Sequence, residues 1–69
     1  MTIIEIHATA SHRYYMRKTK AEILDRVILM MKQLGYSAAE MDFERVRLAG
    51  RLKDDLASRA MMLHREFPE

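Results

Sequence analysis

Between Ser37 and Phe67 the chain carries a helical pattern with two apolar faces, and a stable fold must cover both. At about 100° per residue the first stripe is Met41, Leu48, Ala49, Leu52, Leu56, Ala60, Leu63 and Phe67. Nearly opposite lies a row of small or apolar residues, Ala39, Phe43, Val46, Gly50, Ala57 and Met61, ending at His64. A helix elsewhere in the chain covers the first stripe. The second row needs another neighbour, and in 69 residues the simplest is a second copy. The pattern therefore predicts a homodimer with Phe43, Val46, Gly50, Ala57 and Met61 in the dimer or partner interface. Gly50 inside a helix costs about 1 kcal/mol against alanine, which points to close approach of a second backbone or to simple tolerance.

The helix that covers the first stripe begins at Thr19. Thr19-Lys20-Ala21-Glu22 has the capping-box spacing, with a hydroxyl at the cap and a carboxylate three residues later. Ile23, Leu24, Val27, Ile28, Met30, Met31 and Leu34 share one face, while Glu22, Asp25, Arg26, Lys32 and Gln33 take the other with a lone Leu29. Gly35 suits the left-handed position that ends a helix. Ser37-Ala38-Ala39-Glu40 is a second capping box, and Tyr36 and Met41 stand at the positions of a hydrophobic staple. The expectation is a helical hairpin, helix one over 19–35 and helix two over 37–67. Helix two would run about 43 Å and overhang helix one by several turns, a second reason to expect a dimer.

Residues 1–18 read as an N-terminal arm. Thr2 to Ala8 carries Ile3, Ile4 and Ile6, and suits a short extended strand or a backward extension of a helix. From Thr9 to Lys20 the chain is at its most basic and aromatic. Arg13, Arg17, Lys18 and Lys20 suit phosphates, and Tyr14 and Tyr15 suit stacking on bases, so these six form a candidate nucleic-acid contact. The alternative has the two tyrosines capping the overhanging end of helix two among solvated cations. Arg45 and Arg59 fall near the centre of the first stripe; their stems suit apolar surface, with Asp42 and Asp55 as local partners, or they form ion pairs between subunits that set register.

Composition narrows the classes. The chain is 49% hydrophobic and 32% charged, the balance of a folded domain, and its net charge is only +2. It has no cysteine, so neither disulfides nor thiolate metal sites are available. No apolar run reaches the roughly 18 residues of a membrane span, and the first residues lack signal-peptide character, so the expectation is a single cytoplasmic domain over 1–69. No nucleophile elbow, phosphate-cradling loop or metal-binding helix signature occurs, and His7, His12 and His64 are not spaced as ligands. The expectation is a non-enzyme without catalytic residues, metal, cofactor, membrane partner or small-molecule substrate.

The segment from Glu22-Ile23-Leu24-Asp25-Arg26-Val27 through Gly35-Tyr36-Ser37 to Leu48 and Leu52 resembles the ribbon-helix-helix DNA-binding family. That resemblance implies paired strands from two subunits reading the major groove. About ten residues separate the isoleucine strand from helix one, and helix two is longer than the family pattern. A strand over Arg13 to Lys18 would correct the spacing and set Arg13, Tyr15 and Arg17 on one face. The small, Met-rich, cysteine-free character also looks like that of a phage or mobile-element accessory protein. The reading as a whole is an all-α helical hairpin with a short N-terminal extended arm, homodimeric. It would serve as a regulatory or adaptor protein acting on an unidentified protein partner, with a DNA-binding regulator as the alternative.

Overall fold

A computed structural model of the chain describes residues 11–68; the strand expected over Thr2 to Ala8 lies outside them. Four helices form among the described residues: α1 (His12–Met16), α2 (Lys20–Gln33), α3 (Ala38–Ala49) and α4 (Lys53–His64). No strand is present among them.

The starts and the turn of the expected hairpin are built as their residues dictate. The Thr19 hydroxyl accepts from the Glu22 amide at 3.2 Å while Glu22 accepts from the Thr19 amide at 2.8 Å. Ser37 and Glu40 repeat the exchange at 3.1 and 3.0 Å. These bonds favour the ionised carboxylates and hold both below the ordinary carboxyl range. After α2, Gly35 takes φ +89°, and the amides of Gly35 and Tyr36 donate to the carbonyls of Lys32 and Met31. This is the paired-bond helix ending that an achiral residue permits.

Helix two is not continuous. Gly50 closes α3 at φ −92°, ψ 2°, and Leu52 opens α4 in extended conformation at φ −69°, ψ 154°. The physical reason is the overhang itself. An unbroken helix would leave Leu56, Ala60, Leu63 and Phe67 without cover inside the chain. Breaking it lets α4 lie back on α2, at the cost of a few backbone bonds near a glycine. The longest dimension, 30 Å, is shorter than the expected helix. Gly50 is thus a helix end, and nothing lies within 4 Å of where its Cβ would stand.

The core is Tyr15, Ile23, Val27, Met30, Met31, Leu48, Leu56, Ala57, Ala60, Leu63 and Phe67. The inward face of α2 and most of the first stripe are there as the periodicity predicts. Leu52, placed at the centre of that stripe, is instead 75% exposed because it sits in the link. Part of the arm is core as well: α1 packs on α4, capped by Ser11, whose hydroxyl accepts from the Tyr14 amide at 3.0 Å. The strand alternative over Arg13 to Lys18 is therefore overturned, since residues 12–16 are helical and Tyr15 is fully buried.

Candidate functional site

The break in helix two divides the second apolar row. Its first half, Ala39, Phe43, Val46 and Gly50, lies exposed along α3 at four-three-four spacing, with Phe43 69% and Val46 78% exposed. Its second half belongs to α4 and turns inward: Ala57 and His64 are buried, and Met61 packs against the core. Ala57 is therefore a core residue, and Met61 lies partly buried against the core rather than in an exposed row. A stripe set by one continuous helix cannot survive a bend that reorients half of it.

Beside the exposed row runs an open groove of about 340 Å³, lined by Met31, Tyr36, Ala39, Glu40, Phe43, Glu44 and Arg59. Met31 and Tyr36 reach it from the end of α2 and the turn, and Arg59 from α4. Glu44 is buried and anchors the floor. Arg47 Nη2 donates to Glu44 Oε1 at 2.6 Å and Arg47 Nε to Oε2 at 3.2 Å, while Arg59 Nε donates to Oε1 at 2.8 Å. The bonds from Arg47 hold the Glu44 carboxyl below its ordinary value; burial opposes this and Arg59 reinforces it. Nearby, the Tyr36 hydroxyl donates to Glu66 Oε1 at 2.6 Å, and that bond raises the Tyr36 pKa. The Glu44 carboxylate is committed to two guanidinium groups, an arrangement that fixes α3 against α4 rather than one that moves protons.

The predicted local partner of Arg59, Asp55, is replaced by Glu44, which lies across the bend. Arg45 is exposed. Sequence reasoning missed Glu44, Tyr36 and Arg59 as a group. The only available signal was that Glu44 stands one turn before the core residue Leu48.

The basic arm does not act as one unit. Tyr15 is buried, sharing a 2.6 Å hydrogen bond between its hydroxyl and His64 Nε2, and burial pushes its pKa up to about 12. It is therefore withdrawn from base stacking. Tyr14 meets Tyr15 edge to face at 5.2 Å between ring centres, and Lys18 Nζ lies 4.8 Å above the Tyr14 ring. Arg26 Nη2 approaches the Tyr14 hydroxyl at 3.5 Å, and Lys20 Nζ reaches the Ala49 carbonyl at 3.5 Å, at the negative end of α3. Arg13 and Arg17 are exposed. His12 Nε2 donates to Asp54 Oδ1 at 2.7 Å, tying α1 to the first turn of α4.

Among the described residues no group of three or more histidines and carboxylates is placed to hold a metal ion, and no helix is long and apolar enough to cross a membrane. The chain matches no protein-family model, no curated protein and no solved structure.

Proposed function

We propose that this chain is a small non-enzymatic regulatory or adaptor protein that docks an amphipathic helix of another protein along α3. The observation that carries this reading is the row Ala39, Phe43, Val46 and Gly50, exposed at helical spacing beside a groove with an apolar wall. Contiguous apolar surface of this kind marks interaction sites, and a helix laid into a groove is the recognition mode that its spacing suits. Glu40 and Asp42 flank the row and Glu66 lies near its end, held by Tyr36. Arg47 and the groove-lining Arg59 are both committed to Glu44. The fitting partner is accordingly a helix whose apolar stripe is bordered by lysine or arginine. A cytoplasmic site of action goes with this reading.

The test is selection from a displayed library of amphipathic helices, followed by affinity measurement on Phe43→Ser and Val46→Ser. Both positions are exposed, so both variants should melt like the parent. Selected helices should lose at least about tenfold in affinity, the equivalent of about 1.4 kcal/mol. A library returning only helices indifferent to both substitutions would sink the proposal. Titration of a labelled random duplex tests the DNA-binding alternative. Arg13, Arg17, Lys18 and Lys20 together would give a slope of about −4 in log affinity against log salt, and absence of binding at low salt removes that reading.

A further inference from the structure

The link between α3 and α4 is where amino-acid pattern and folded chain disagree. We infer from it that two copies of this chain exchange α4 by straightening Gly50–Leu52 into one continuous helix. The fitting partner for the α4-binding face of α1 and α2 is then α4 of a second copy.

At Leu52 the link departs from a helix in one angle only. Leu52 has φ −69°, near the helical value of about −63°, so its main change is rotation of ψ from 154° to about −42°. Gly50, at φ −92° and ψ 2°, needs smaller adjustments, and no residue of the link has positive φ. The broken form is also weakly fastened. Both α2 and α3 begin with a capping box, whereas Leu52 at the cap of α4 offers no side-chain hydrogen bond and leaves an apolar side chain 75% exposed. Straightening brings Leu52 into line with Leu48 and Leu56, each one turn away, and restores the stripe that the sequence encodes.

What α4 loses by leaving one copy, it recovers on the other. The contacts that hold it are the Tyr15–His64 bond, the His12–Asp54 bond, the Glu44–Arg59 pair and the apolar face formed by Leu56, Ala60 and Leu63. All exist in identical form on a second chain, which is why exchange of an identical element is a low-cost route to a dimer. In a straight helix residues 44 and 59 stand about 22 Å apart, so their pairing becomes intermolecular.

The inference is independent of the docking proposal, and different residues test it. The chain has no cysteine, so introduced thiols are unique. Chains carrying His12→Cys are mixed with chains carrying Asp54→Cys, unfolded, refolded together, and treated with a short bis-maleimide. Exchanged dimers give a cross-link between the two kinds of chain, and sedimentation reports the dimer fraction across concentration. Gly50→Ala favours the continuous helix by about fivefold per link, hence by about 25-fold in the dimerisation constant. Leu52→Ser supplies the missing cap and lowers that constant by a similar factor. Both side chains stand at exposed positions and leave the monomer fold intact by circular dichroism. A protein that stays monomeric at millimolar concentration with Gly50→Ala overturns the inference. So does a dimer without cross-chain cross-links, or one lost with Phe43→Ser and indifferent to Leu52→Ser.

Discussion

Replacing Glu44 by glutamine keeps the shape of the side chain and removes its charge, so it isolates the electrostatic part of the α3–α4 junction. Glu44 has 8% of its side chain exposed, Arg59 has 19% and Arg47 has 37%. A hydrogen bond to a buried charged group contributes about 1.5–3 kcal/mol, whereas a surface pair contributes about 0–1 kcal/mol. Taking the lower end of the first range for Arg59 and the middle of the second for Arg47 gives a loss of about 2 kcal/mol. With a urea m-value of about 1 kcal/mol/M for a chain of this size, the midpoint should fall by about 2 M. The melting temperature should fall by about 10 °C or slightly more. Arg45→Met, at an exposed position, should stay within about 0.5 kcal/mol and serves as the control. Acid gives the second arm. The Glu44 carboxyl is depressed from 4.5, so its stabilisation is present above that pH and is lost as pH falls through the depressed value. The depressed cap carboxylates Glu22 and Glu40 remain in both proteins and cancel in the comparison. The gap between wild type and Glu44→Gln should therefore close in acid. A loss below about 0.5 kcal/mol at neutral pH, or a gap unchanged by acid, would refute the account of Glu44 as the buried pin of this junction.

Burial pushes the Tyr15 pKa up to about 12, so ultraviolet difference spectra should show a tyrosine step near that pH. Because the unfolded chain ionises first, stability should decline as pH rises from 10 to about 12. Tyr15→Phe should abolish the late step and cost about 1–3 kcal/mol in urea melts, by removing the hydroxyl from His64 Nε2. Gly35→Ala places a side chain at φ +89° and should lose about 1–2 kcal/mol by the same assay, despite open space around the new Cβ; an unchanged midpoint would show that the turn relaxes.

Local signals in the residues account for a definite share of this protein. The two capping boxes, the left-handed Gly35 and the inward face of α2 follow from bonds and periodicities that span at most a few residues, and the folded chain keeps them. The apolar content of Leu48, Leu56, Ala60, Leu63 and Phe67 likewise marked them for burial. What the tertiary structure alone decided is where helix two stops. Backbone propensity around Gly50 differs by only about 1 kcal/mol between a continuous and an interrupted helix. Burial of the far half of the stripe on α2 outweighs that difference, and no pattern within residues 37–67 reports the surface available elsewhere. From that one bend follow the remaining departures. Leu52 turns outward, and Ala57 joins the core. The burial of Tyr15 on His64 is instead the tyrosine cap on the far end of helix two that the residues allowed. Glu44 meets Arg59 across 15 residues, which a straight helix would keep apart. They became neighbours only because the chain buried its own overhang.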